Sequence, residues 1–71
     1  MGRNLSKREE TVLGYSADGF SYNAIAEKLN ISPRTVETHA ERIIIKLGAK
    51  NIINAVSIYT KKLLTSSEAV W

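Results

Sequence analysis

The chain has 71 residues, no cysteine, one histidine and a formal net charge of +3 at pH 7. A chain of this length forms one small domain with a thin core. It has no cysteine, and His39 and Asp18 are the only residues of their types, so the side chains needed for a metal site or a Ser-His-Asp triad are almost entirely missing. Because these residue types are so scarce, we expect no enzyme activity and no cofactor. No apolar run approaches the ~20 residues of a membrane span, so we also expect a cytoplasmic protein with no membrane partner.

Ser6 and Glu9 have the spacing of a capping box and predict a first helix that begins at Lys7. Gly19 is predicted to end this helix with a left-handed backbone. Gly14, inside the helix, is interpreted as a close helix contact. The apolar side of the helix is formed by Leu5, Val12, Leu13, Ala17 and Phe20.

A second, short helix follows the predicted cap Ser21. Its one apolar side consists of Tyr22, Ile25, Ala26 and Leu29. The pair Ser32-Pro33 predicts the cap and first position of a third helix. Because only about three residues then link two amphipathic helices, the link must be a sharp corner, with Ile31 packed beneath it.

The third helix is predicted from Pro33 to Leu47, with Gly48 as its stop. Its buried stripe is formed by Val36, Ala40, Ile43 and Leu47. The opposite side is polar and holds Arg34, Thr38, Glu41, Arg42 and Ile45, flanked by Thr35 and Glu37.

Asn51 is predicted to cap a fourth helix. One side of this helix gathers Ile52, Ile53, Val56, Tyr59, Leu63 and Leu64. Ala55 and Ile58 lie off this side and are predicted to form a two-fold dimer contact. We treat residues 1–71 as one domain with a core over 5–64 and a loose tail over 65–71.

The net positive charge is confined to the second half of the chain. Residues 1–31 have no net charge, whereas residues 32–71 carry the whole +3. Because Lys and Arg displace counterions from phosphates, a polyanion would bind the second half. An ordinary solvated surface remains the alternative.

Two helices joined by a tight turn, with a polar face along the second, are typical of a helix-turn-helix, although a plain helical bundle has the same corner. Three segments decide between them: Leu5-Ser-Lys-Arg-Glu9, the stretch from Gly19 through Ile31-Ser-Pro-Arg-Thr-Val36 to His39, and Ile43-Ile-Ile-Lys-Leu-Gly48. Over about residues 5–64 the chain resembles the LuxR/FixJ-type DNA-binding domain of bacterial transcription regulators.

The resemblance implies an all-α, compact four-helix domain that binds double-stranded DNA as a homodimer, with the third helix in the major groove and the fourth helix at the dimer contact. RNA polymerase is a further expected partner. The base contacts that it implies fall on Glu37, Thr38 and Glu41. The phosphate contacts that it implies fall on Asn23, Thr35, His39, Lys46 and Lys50. The family often has Lys or Arg where this chain has Glu37 and Glu41.

From their positions, Arg34 and Arg42 are added to the base-reading set, and Tyr22 to the phosphate-binding set at the start of the second helix. Each assignment has a structural alternative. Glu37 and Glu41 fit a solvated surface pair, His39 fits packing at the edge of the core, and Tyr22 fits the core itself.

Two rival functions also fit parts of the pattern. The promoter-reading region of sigma factors shares the Ile-Ala-Glu-Lys-Leu segment at 25–29 and the Ile-Ser start of the third helix. A protein-interaction bundle would instead use Ile44, Ile45 and Ile58 as contacts. Salt distinguishes the classes, since DNA binding weakens steeply with salt and an apolar interface does not.

Overall fold

Four α-helices form the fold of residues 5–68. A computed structural model describes the backbone of residues 5–68 and the side chains of residues 5–60. The helices are α1 Lys7–Ala17, α2 Tyr22–Leu29, α3 Pro33–Leu47 and α4 Ile52–Glu68. The predicted all-α, four-helix fold is thereby confirmed. No helix within residues 5–68 is both long and apolar enough to cross a membrane.

Each helix begins at a side-chain cap that the sequence predicts. Ser6, Ser21, Ser32 and Asn51 each accept the backbone N–H of the residue three positions later, at 2.7–3.2 Å. Glu9 Oε1 in turn accepts the Ser6 N–H at 2.9 Å, which completes the capping box. Because the first N–H groups of a helix have no partner within the helix, these caps define where each helix starts.

The first three helices end in the same way. Gly19, Asn30 and Gly48 have φ of 93°, 58° and 65°. The N–H of the following residue then donates to the carbonyl oxygen five positions earlier, at 2.9–3.1 Å. Glycine adopts this left-handed backbone without strain, and asparagine tolerates it. The two predicted glycine stops are confirmed, and Asn30 supplies the third.

The core lies between the four helices. Its buried members are Val12, Leu13, Ile25, Ala26, Val36, Ala40, Ile43 and Ala55. Five residues predicted at its centre are only partly buried and pack around it: Leu5, Leu29, Ile31, Leu47 and Val56. In so small a domain these residues lie too near the surface to lose all contact with water.

The prediction for the buried side of α4 is wrong at two positions. Ala55 is fully buried in the core, so it is not available for the dimer contact assigned to it. Ile53, predicted to face the core, is 77% exposed. The true buried side follows the spacing 52, 55, 56 and 59, with the small Ala55 at its centre. Large apolar residues alone suggested a side rotated away from this one.

The predicted loose tail also begins too early. α4 continues through Glu68, four residues beyond the expected core boundary. Residues 65–68 contain neither glycine nor proline, so nothing in them stops the helix. The rest of the predicted tail, residues 69–71, and the side chains of Leu63 and Leu64 lie outside the described residues.

Two predictions for the apolar side of α1 are also wrong. Ala17 is exposed rather than part of the apolar side. Phe20, placed on that side, is 38% exposed and packs edge-on against Tyr15, with ring centroids 5.6 Å apart. Lys28 Nζ lies 4.5 Å from the Phe20 ring centroid, where a cation is attracted to the ring face. Ring contacts therefore join the last turn of α1 and the α1–α2 loop to Lys28 in the last turn of α2.

Gly14 makes no close helix contact, because a Cβ atom built on it meets nothing within 4 Å. We expect Gly14→Ala to raise the free energy of unfolding by about 0.5–1 kcal/mol, since alanine restricts the unfolded chain and favours a helix interior. The matched control is Gly48→Ala, which should destabilise by about 1–2 kcal/mol because φ there is positive. Urea unfolding of both variants measures this, and a destabilising Gly14→Ala contradicts it.

Candidate nucleic-acid interface

Helices α2 and α3 and the turn of residues 30–32 form a helix-turn-helix. Pro33 occupies the first position of α3, where its missing N–H costs no hydrogen bond. Ile31 packs against the core beneath the turn, as predicted. The turn fixes α3 against α2 and leaves one side of α3 uncovered.

The solvent-exposed side of α3 forms the outer face of the helix-turn-helix. Its exposed residues are Arg34, Thr35, Glu37, Thr38, Glu41, Arg42 and Ile45. All five residues predicted to read bases are among them. Two arginines and two glutamates give the outer face no net charge, and Ile45, 73% exposed, is its one large apolar side chain.

Two threonine hydroxyls on α3 already have partners. Thr38 Oγ1 donates to the carbonyl oxygen of Arg34 at 3.2 Å. Thr35 Oγ1 shares a hydrogen bond of 2.9 Å with Ser32 Oγ at the cap. Because the Thr38 hydroxyl hydrogen points into its own helix, the groups left to interact outward are an oxygen lone pair and a methyl group.

Tyr22 and Asn23 lie in the first turn of α2, where free N–H groups attract anions. Asn23 is exposed and Tyr22 is half-buried. Burial, together with the negative charges of Glu37 and Glu41, raises the pKa of the Tyr22 hydroxyl above its ordinary 10.0. The hydroxyl therefore stays protonated at neutral pH, and the structure brings it near both glutamates.

His39 lies at the edge between the outer face and the core. It is half-buried, and its Nδ1 atom is buried without a hydrogen-bond partner. Packing at the edge of the core, one of its two interpretations, agrees with this position. Among residues 5–60, no group of three histidine or acidic side chains could hold a metal ion.

The two lysines predicted to bind phosphate differ in their surroundings. Lys46 Nζ forms an ion pair of 2.8 Å with Glu9 Oε1, and the Lys46 side chain is 33% exposed. Lys50 is exposed at the turn before α4, and its backbone N–H donates to Asn54 Oδ1 at 2.9 Å. Lys50 is thus presented to solvent, whereas Lys46 already has an anionic partner inside the domain.

Sequence reasoning missed the burial of Glu9. Only 3% of this residue is exposed, and its Oε1 atom accepts from both the Ser6 N–H and Lys46 Nζ. Burial raises the pKa of the Glu9 carboxyl, but the hydrogen bonds from Lys46 and Ser6 lower it further, so the pKa lies below its ordinary 4.5. The capping box indicated the local hydrogen bond, but no local signal points to a lysine 37 positions away.

Comparison with known proteins gives a family match across most of the chain. The family model described as bacterial regulatory proteins, luxR family, matches residues 3–59. This range contains all of the helix-turn-helix and the outer face.

Individual relatives agree with that match. The oxygen regulatory protein NreC of Staphylococcus aureus is 45% identical over 60 residues, which are 84% of this chain and 28% of that protein. A protein of Pseudomonas aeruginosa is 43% identical over 56 residues, 79% of this chain and 27% of its own length. A chain in the crystal structure of the phage VqmA–DPO complex superposes with a TM-score of 0.80 at 40% identity, covering 87% of this chain and 28% of that one. The chain spans little more than a quarter of each relative.

Proposed function

Because the chain belongs to the luxR family of bacterial regulatory proteins, we propose that it binds double-stranded DNA sequence-specifically and regulates transcription, with α3 in the major groove. The observation that carries this proposal is the exposed outer face on the second helix of a helix-turn-helix. An α-helix fits the major groove, and the second helix of this motif contacts base edges there. A cytoplasmic location agrees with this role.

Contacts on the DNA divide into two sets. Base reading is assigned to the outer-face residues Arg34, Glu37, Thr38, Glu41 and Arg42. Phosphate contacts are assigned to Tyr22, Asn23, Thr35, His39, Lys46 and Lys50, which lie at helix ends or beside the outer face. Phosphate contacts position the protein on any DNA, whereas base contacts select a sequence.

We also propose that two copies bind neighbouring half-sites about one DNA turn apart, through a contact on α4. With Ala55 in the core, Ile58 remains from the predicted pair, and it is half-buried. Ile53, exposed in the first turn of α4, is a second apolar side chain on this helix, about 140° around it from Ile58. RNA polymerase stays a predicted partner.

Salt dependence tests the proposed function. If Lys50 neutralises a phosphate, Lys50→Ala should weaken binding to all sequences and make the slope of log K against log salt shallower by about one. The matched control is Lys7→Ala, an exposed lysine at the start of α1, which should leave the slope unchanged. Fluorescence anisotropy with labelled duplexes between ~50 and ~200 mM salt measures both.

Binding that does not respond to salt over this range contradicts the proposal. The exposed Ile45 and Ile53 would then favour a protein-interaction module. An equal change of slope in the two variants would instead place the DNA on another surface.

A further inference from the structure

The outer face of α3 presents mainly hydrogen-bond acceptors at its centre. We propose that this chain selects half-sites in which exocyclic amino groups, those of cytosine above all, face Glu37, Thr38 and Glu41. This inference rests on the proposed DNA-binding function and names the base chemistry that the same site reads.

Glu37 and Glu41 supply the strongest acceptors. They lie four positions apart on one side of α3, about 6 Å along its axis, and both are exposed. Neither forms an ion pair with a side chain among residues 5–60. An ionised carboxylate accepts hydrogen bonds and donates none. Both side chains therefore need donors from the partner that covers them.

Thr38, between the glutamates on the outer face, adds a third acceptor. Its hydroxyl hydrogen is held by the Arg34 carbonyl oxygen, so only lone pairs and the methyl group are left for a base. The charged hydrogen-bond donors of the outer face are the guanidinium groups of Arg34 and Arg42, which precede and follow these acceptors along the helix. The centre of the outer face thus accepts hydrogen bonds, and the arginines at its two ends donate them.

Cytosine matches the centre of the outer face best. In the major groove it presents the N4 amino group as a donor, with no acceptor of its own beside it. Adenine places the N7 acceptor next to its N6 amino group, and guanine and thymine present acceptors that repel a carboxylate. The glutamates therefore favour cytosine and penalise wrong sequences.

Electrostatic repulsion increases the discrimination between matching and non-matching DNA sequences. Like charges four residues apart on a helix repel each other, and DNA phosphates repel both carboxylates. The neighbouring Tyr22 hydroxyl is neutral, so it does not offset the charge of the two carboxylates. On DNA without amino groups at these positions, the glutamates weaken binding. The two glutamates thus lower the affinity for non-specific DNA and make binding depend on the hydrogen-bond donors that the bases present in the major groove.

Selection of bound duplexes from randomised DNA by the full chain is the first test. We expect cytosine at one or two fixed positions of each half-site. Glu41→Gln should then shift preference at one position from cytosine towards adenine, because glutamine pairs with adenine N6 and N7. The loss of discrimination should be about 5- to 150-fold at that position, while binding to scrambled DNA tightens. Glu37→Gln should act at a different position.

The matched control is Glu27→Gln, an exposed glutamate on α2 outside the outer face, which should leave the base preference unchanged. Salt-sensitive binding with no cytosine preference, or a preference that Glu37→Gln and Glu41→Gln both leave intact, overturns the inference and leaves DNA binding standing. Absence of salt-sensitive binding by the unmodified chain overturns the proposed function itself.

Discussion

Replacing Ile43 by alanine is expected to lower the free energy of unfolding by about 2–5 kcal/mol. Ile43 is fully buried in the middle of α3, where it contributes to the core shared by the four helices. The truncation removes apolar contacts and leaves a cavity that the neighbours fill only in part. Because native domains are stable by only about 5–15 kcal/mol, this loss is a large fraction of the total stability and should lower the urea midpoint of unfolding clearly.

Ile45→Ala is the matched control for this substitution. It makes the same chemical change two positions along the same helix, at a side chain that is 73% exposed. Its free energy of unfolding should stay within about 0.5 kcal/mol of the parent value. Urea unfolding followed by circular dichroism compares the two, and equal losses would mean that α3 is rotated from the orientation described.

Removing the lysine of the Glu9–Lys46 ion pair should have the next largest effect. We expect Lys46→Met to lower the free energy of unfolding by about 1–3 kcal/mol, because it leaves the buried Glu9 carboxylate without its cationic partner. The value lies below that of a fully buried pair because the lysine is one-third exposed. In the reciprocal variant, Glu9→Gln, the amide oxygen can still accept the Ser6 N–H, but the negative charge is removed.

The double variant, Glu9→Gln with Lys46→Met, completes the measurement. It should be more stable than the sum of the two single changes predicts, because no unpaired charge remains buried. Additive losses would show that the two side chains do not interact.

The pH dependence of the free energy of unfolding is a second test of the Glu9–Lys46 ion pair. Because the pKa of Glu9 is lower in the folded state than in the unfolded state, the pair stabilises the protein fully above about pH 4.5–5, and the contribution is lost as the pH falls through the folded-state pKa. The stability difference between the parent and Lys46→Met should therefore shrink on acidification. A difference that is constant from pH 7 to pH 3 contradicts the role of Glu9.

The helix boundaries were largely predictable because they depend on local chemistry. Ser6, Ser21 and Ser32 act on N–H groups three positions away, and Gly48 acts through its own backbone. Such signals need no knowledge of the tertiary fold. The exposed side of α3 followed in the same way from helical periodicity.

The features that could not be predicted depend on contacts between distant segments. Alanine is common on any side of a helix, so the burial of Ala55 follows only from how α4 packs. The partner of the buried Glu9 is Lys46, which reaches it from α3, 37 positions along the chain. The hydroxyl orientation of Thr38 and the approach of Tyr22 to the two glutamates likewise required the assembled helices.

The caps and stops of the helices lie apart from the side chains proposed to read bases. Ser32 and Gly48 bound α3, and Val36 and Ile43 anchor it, yet none of these four residues belongs to the outer face. Substitutions at positions 37, 38 and 41 can therefore change the surface offered to a partner at little cost to folding. In evolutionary terms, a duplicated gene could acquire new target sites one residue at a time without first acquiring a more stable scaffold.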